Sequence, residues 1–231
     1  ICVSGTGCIG KTTFVDDFIE EWSMYENPNK DLFKENTHSK ETTKDIQWKL
    51  LNTMLDNMQN PKLGDHIIYD TGPLDNLMYT IWAHSKKLGN IDDKFVQKCL
   101  PLIQQSTKML DILFFIPVTN VAPVEIEDKE VDTQFNTEID HLFKAAKYDW
   151  GHNTESKFFD SQDKPALIEI FGKPHERIEM AKWYLNVDGD CIESTGNILS
   201  ETEMQEVVSL KEGFGIEDAD TEAVRSARNP K

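Results

Sequence analysis

At 231 residues, 39% of them hydrophobic and 28% charged, the chain has the composition of a soluble globular protein, with room for one sizeable α/β domain and an appendage. A formal net charge of −17, from 24 Lys plus Arg against 41 Asp plus Glu, argues against a nucleic-acid partner, because recognising phosphates along a polymer needs a basic surface. The longest apolar run, residues 112–118, suits a buried strand and is far too short to span a membrane; with no signal peptide in evidence, no membrane partner and a cytoplasmic location are expected. Cys2, Cys8, Cys99 and Cys191 are scattered without a Cys-x-x-Cys pair or a histidine at ligand spacing, so reduced thiols are expected rather than a zinc site or disulfides.

Ile1-Cys2-Val3 reads as the end of a buried strand; entering it directly, without a methionine, suggests that a few residues precede Ile1 and that this strand is cut short. Residues 12–22 carry Phe14, Val15, Phe18, Ile19 and Trp22 at helical spacing. A polar stretch over 23–40 reads as a loop with a very short strand around Met24-Tyr25. Residues 41–58 place Ile46, Leu50, Leu51, Met54, Leu55 and Met58 on one helical face, and His66 to Asp70 reads as a buried strand. Helices are predicted over 74–87 and 92–110, the latter kinked or broken at Pro101, followed by a strand over 111–118.

Residues 121–132 are acidic and aperiodic, a loop candidate that leads into a helix over 133–148. A polar loop, a strand over 166–171 and a helix over 174–185 with Pro174 in its first turn complete the pattern. This alternation predicts a three-layer α/β fold with a mostly parallel sheet of about five strands over residues 1–190. Residues 191–231 are acidic and sparse in large apolar side chains, and read as a loosely attached extension.

The most specific chemical signal is Gly5-Thr6-Gly7-Cys8-Ile9-Gly10-Lys11-Thr12, which fits the phosphate-loop pattern G-x-x-x-x-G-K-[ST]. A phosphate chain needs several backbone N–H donors converging on one point, and glycines let the backbone wrap that closely. Lys11 would reach the terminal phosphates, the Thr12 hydroxyl would hold Mg²⁺, and the helix entered at Thr12 and Thr13 would present its positive end to the anion. The plain alternative is a tight strand-to-helix turn, but strand, glycine loop and helix occur in the required order, so a nucleoside triphosphate such as ATP is the expected ligand.

Asp70-Thr71-Gly72-Pro73-Leu74-Asp75-Asn76 sits where a parallel strand would end, the position at which such sheets bind ligands. Asp70 is the candidate for Mg²⁺ or substrate contact; capping of a turn is the alternative, and Asp75 and Asn76 read as weaker candidates that cap the next helix. Glu26 is a weak candidate for a general base and Gln47 for a base-edge reader, although acids are common in polar loops and a polar residue on a helix flank is ordinary. Arg177 is a candidate for nucleotide contact, although on a helix rich in acids it reads more readily as solvated surface or an intrahelical ion pair.

The glycine loop, the passage from Ile67 to Asn76 and Phe171-Gly172-Lys173-Pro174-His175-Glu176-Arg177 together resemble the P-loop nucleoside and nucleotide kinases. Within these, the chain looks closest to the AAA-type group that includes the kinase domain of nicotinamide riboside kinases and many phage deoxynucleoside or deoxynucleotide kinases. The resemblance implies transfer of a phosphoryl group from ATP to a small-molecule acceptor. It also implies that Asp70 belongs to the acidic motif after a central strand, that residues 172–174 lie near the adenine, and that 121–135 form a lid. Two departures stand out: relatives usually have Asp-Arg where this chain has Asp70-Thr71, and their lids usually bring arginines, whereas the basic residue here is Lys129. An arginine beside the transferred phosphoryl can be worth several powers of ten in rate. The sequence therefore leaves open a kinase relying on Lys11, Mg²⁺ and Lys129, an arginine from the tail or from a second subunit of a homodimer, and a regulatory nucleotide-binding ATPase or GTPase without transfer.

Overall fold

The computed structural model describes residues 1–30, 32, 42–119 and 133–192. The chain divides into two compact units, Ile1–Cys191 and Ile192–Lys231; all of the second beyond Ile192 lies outside the described residues, as do residues 121–132 of the expected lid, Lys129 among them, while its residues 133–135 begin a helix.

In chain order the elements are β1 Cys2–Ser4, α1 Lys11–Glu21, α2 Lys44–Met58, β2 Tyr69–Asp70, α3 Pro73–Ser85, α4 Asp93–Thr107, β3 Ile112–Phe115, α5 Thr133–His152, β4 Ala166–Glu169 and α6 Pro174–Ala181. The four strands form one sheet in the order β2-β1-β3-β4, and every pairing is parallel. β1 is therefore central, and its crossovers to β2 and β3 place helices on both faces, as parallel strands require.

Alternation along the strands separates two cores. Cys2, Leu113 and Phe115 pack with residues of α2, α3, α4 and α5 on one face. Val3, Ile112, Phe114 and Ile168 pack with Phe14, Val15 and Phe18 of α1 and Ile178 and Ala181 of α6 on the other. Phe14, Phe18 and Phe114 have no exposed surface, and the Phe14 and Phe114 rings meet edge to face with centroids 5.5 Å apart. Burying each such ring stabilises the fold by roughly 1.5–3 kcal/mol.

The sheet has four strands rather than the expected five or so. The stretch expected to form a short strand at Met24-Tyr25 is reduced to a single parallel bridge between Glu26 and Ile67. Asn27 Oδ1 accepts from the backbone N–H groups of Asn29 and Asp70, so a side chain takes over where a ladder would continue, and Pro28 has no N–H to offer one. Pro101 does not break α4: it lies on the exposed face of a helix that runs unbroken from Asp93 to Thr107, capped by the Asp92 side chain accepting from Phe95 N–H. The buried strand segment around Ile67 is likewise shorter than expected, with the regular ladder limited to Tyr69–Asp70. Among the described residues, no helix is long and apolar enough to cross a membrane.

Candidate functional site

The carboxyl ends of β1 and β2 open onto the loop 5–10 and the N-terminus of α1. Gly10 caps α1 in the left-handed region at φ 84°, and Gly5 has φ 148°. A Cβ on Gly5 would lie 2.6 Å from the Ile116 carbonyl oxygen, so no side chain fits there. Cys8 is exposed and also adopts a positive φ, 57°. The first intrahelical bond of α1 runs from Phe14 N–H to Gly10 O, which leaves the N–H groups of Lys11, Thr12 and Thr13 without helical acceptors, the usual anion-binding feature of a helix start.

Lys11 folds back over this loop, its Nζ donating to the carbonyls of Gly5 at 2.7 Å and Thr6 at 2.8 Å. Thr12 Oγ1 donates to Asp70 Oδ2 at 2.6 Å, joining the helix start to the end of β2. Gly5, Lys11, Thr12 and Asp70 are thus gathered at one edge of the sheet, and Thr13 is exposed beside them in the first turn of α1.

Several residues hold the loop from beneath and from the sides. Asp75 has no exposed surface; its carboxylate accepts from Ser4 Oγ at 2.6 Å, Gly72 N–H at 3.1 Å and Gly5 N–H at 3.2 Å. Burial pushes its carboxyl up to about 6, against the opposing pull of Lys11 and these three donors. Thr6 Oγ1 donates to Asn136 Oδ1 of α5 at 3.1 Å, and the buried Tyr79 hydroxyl reaches Thr6 and the Gly7 backbone. Burial raises the Tyr79 phenol, keeping it protonated. Arg177, only 5% exposed, donates from Nη1 to the Ile9 carbonyl at 3.0 Å and from Nε to the Gly172 carbonyl at 3.0 Å. It is neither solvated surface nor an intrahelical ion pair, as its position among acids suggested.

Thr71, directly after β2, is buried with φ 75°. A β-branched residue in the left-handed region is a genuine outlier, and such strain concentrates at functional sites. It is flanked by Asn29, whose Nδ2 donates to the Thr71 carbonyl at 2.9 Å.

The two weaker candidates fall differently. Glu26 is exposed and contributes its backbone to the bridge with Ile67. Gln47 is 1% exposed: its Oε1 accepts from Asn76 Nδ2 at 2.7 Å and Thr80 Oγ1 at 3.3 Å, and its Nε2 donates to Thr42 Oγ1 at 2.6 Å. Asn76 Oδ1 is the one buried side-chain polar atom without a hydrogen-bond partner among the described residues. Gln47 therefore sits in a buried polar network behind Asp75, with its amide already engaged.

Asp75 caps α3 at Gly72 N–H, as its place at the strand-to-helix turn suggested, but its bonds to Ser4 Oγ and Gly5 N–H were not legible in the sequence. Tyr79, Asn136 and Arg177 approach the loop through tertiary packing, which the local sequence does not show.

No family model matches the chain, and no curated protein is detectably similar in sequence. Among solved structures, a NadR protein in complex with NAD and AMP-PNP is similar at a TM-score of 0.52 and 16% identity, over 83% of this chain and 50% of that one, so the chain spans half of its length. A deoxyadenosine kinase from M. mycoides, solved with dCMP and dCDP, aligns over 92% of this chain and 98% of that one at 11% identity and a TM-score of 0.49. At such identities the likeness is one of fold alone, an α/β arrangement with a parallel sheet flanked by helices.

Proposed function

We propose that residues 1–190 form an ATP- and Mg²⁺-dependent kinase domain that transfers the γ-phosphoryl group to a nucleoside, a deoxynucleotide or a related small metabolite, with residues 191–231 as an acidic extension. The observation that carries this reading is the convergence of Lys11 and the Thr12–Asp70 pair at the start of α1, on a loop whose glycine at position 5 leaves no room for a Cβ.

The residues fit a nucleotide and its metal. The free N–H groups at the start of α1 and the ammonium of Lys11 suit a polyphosphate. Among the described residues the hydrogen-bond partners of Lys11 Nζ are carbonyl oxygens, contacts it can exchange for phosphate oxygens. Thr12 Oγ1 and Asp70 Oδ2 offer hard oxygen ligands side by side. Mg²⁺ takes few protein ligands and completes its shell with phosphate and water, so this pair of oxygens would suit it. When bound, Mg²⁺ neutralises charge on the transferring phosphoryl group. Lys11 would share that task, Asp70 would orient metal or acceptor, and Asp75 would keep Gly5 N–H and Ser4 in place beneath the loop.

A second reading, a regulatory nucleotide-binding ATPase or GTPase without transfer, is favoured by one observation. Among the described residues the single arginine, Arg177, is buried against the loop backbone, and Thr71 stands where relatives have another. The two readings differ in their need for an acceptor. ADP formation with Mg²⁺ should be measured against a panel of nucleosides, nucleoside monophosphates and nicotinamide riboside. A kinase is expected to show acceptor-dependent turnover; acceptor-independent turnover, or tight binding with none, would move the assignment to the regulatory protein.

A further inference from the structure

Thr71 adopts φ 75°, a conformation that a β-branched residue keeps only where its surroundings hold it. Much of that hold comes from the segment Asn27-Pro28-Asn29. Asn27 Oδ1 accepts from Asp70 N–H at 3.4 Å, and Asn29 Nδ2 donates to the Thr71 carbonyl at 2.9 Å. Asp70 and Thr71 are thus gripped at the N–H where the pair begins and at the carbonyl where it ends. The same Asn27 oxygen accepts from Asn29 N–H at 3.0 Å, which ties the two grips to each other. Beyond Thr71, Gly72 N–H donates to the buried Asp75 carboxylate at 3.1 Å. The carbonyl and N–H of one trans peptide point in opposite directions, so Asn29 and Asp75 hold the Thr71–Gly72 peptide from its two edges.

Asn29 is itself held. It is 1% exposed, and a buried amide is costly unless its polar atoms are bonded. The Thr71 carbonyl can only accept, which turns Nδ2 toward it; Oδ1 then accepts at 2.8 Å from Nδ2 of Asn57, in the last turn of α2. Asn57 Nδ2 also donates to the Pro28 carbonyl at 3.5 Å, a second group that only accepts. Carbonyls at both ends therefore fix which way the two amides face. Between the grips on Asp70 and Thr71, the Asp70 side chain leaves the backbone and accepts from Thr12 Oγ1 at 2.6 Å. The regular ladder of β2 is only two residues long, so these side-chain bonds supply the support that a longer strand would give.

We infer that Asn29, braced by Asn57, is a positioning residue that fixes the Asp70 carboxylate against the Thr12 hydroxyl and so sets the metal affinity of that pair. The inference rests on the nucleotide and Mg²⁺ reading above, and it adds two residues that act through Asp70.

The test is ATP binding by calorimetry, with Mg²⁺ and with a chelator in its place, in the wild-type full chain and in Asn29→Ala, Asn57→Ala, Asp70→Ala and Asn29→Ala/Asp70→Ala. The inference predicts that Asn29→Ala weakens binding about 10–100-fold in Mg²⁺, as for other residues that orient a metal ligand from behind, and much less without the metal. On top of Asp70→Ala the same substitution should cost little further, because it acts through that carboxylate. Equal losses with and without Mg²⁺, no loss, or a full second loss on top of Asp70→Ala would overturn it. Asn57→Ala guards against an Asn29 variant that does not fold: Asn57 is half-buried near the end of a helix, where alanine is well tolerated. It should give a smaller weakening, again specific to Mg²⁺; no such weakening would refute the brace. Wild-type protein that binds no ATP, or binds it equally well without Mg²⁺, contradicts the nucleotide or metal reading and takes this inference with it. Mg²⁺-dependent binding that is lost in Asp70→Ala but kept in Asn29→Ala removes the inference alone.

Discussion

The body of the central strands and their carboxyl ends are built from opposite materials. In the body, Val3, Leu113 and Phe114 are apolar, at most 1% exposed and packed between helices. One residue further along, β1 ends in the buried hydroxyl of Ser4, β2 in Asp70 and the strained Thr71, and the next turn buries Asp75 and Asn76 with no exposed surface at all. Polar burial and left-handed backbone cost stability, and neither is needed to close a parallel sheet. Along β1 and β2 both features gather at the carboxyl ends, beside the proposed nucleotide site, while the apolar body supplies the stability that tolerates them.

Three substitutions test that division. The largest effect is expected in the body: Phe114→Ala should lower unfolding free energy by ~3–5 kcal/mol in denaturant titration, as for other buried aromatic truncations, while leaving nucleotide affinity of the folded fraction unchanged. A loss confined to affinity would break the comparison.

Asp75 should give a pH-dependent effect at the rim. Its folded-state carboxyl, raised to about 6, lies above the unfolded value near 3.8, so between these limits the folded state holds the extra proton. Stability from this group is therefore greatest below the unfolded value and is lost as pH rises through about 6, a difference of ~3 kcal/mol across the window. Glu138, held low at about 2 by Lys86 and neighbouring donors, depends on pH in the opposite sense, so the contribution of Asp75 is read as the difference between wild type and Asp75→Asn. Relative to the variant, the wild type should lose stability from pH 4 to pH 6 and then level off; parallel curves would show that Asp75 does not carry a raised pKa.

The smallest effect concerns strain. Replacing Thr71 with glycine, which adopts φ 75° freely, should raise stability by ~0.5–1 kcal/mol in thermal or denaturant unfolding. A clear loss instead would mean that Thr71 is relaxed where it stands.

The two regions were also unequally legible in the sequence. Strand-loop-helix order at Ile1 to Trp22, the apolar faces of α2 and α4, and the β–α alternation followed from periodicity, because in the body each residue's pattern and its burial agree. The outer strand did not form, since Asn27 and Pro28 replaced ladder bonds with side-chain ones. At the rim the glycine loop was visible because its residue types and spacing are dictated by backbone geometry. Arg177 was not, because a charged residue beside Glu176 and Glu179 has the local signature of a solvated helix face, and its burial depends on Gly172 and Ile9 far away in the chain. Gln47 shows the same limit: its polarity suggested an open flank, whereas Asn76, Thr80 and Thr42 enclose it.

The central claim is that the rim binds nucleotide phosphates through Lys11. Calorimetric titration of Mg²⁺-ATP into the wild-type full chain and into Lys11→Ala tests it most directly. The account predicts saturable, Mg²⁺-dependent binding in the wild type and a loss of about 10²–10³-fold in the variant, as when a key donor to a charged oxygen is removed. Equal binding by both proteins, or none by the wild type, would contradict it.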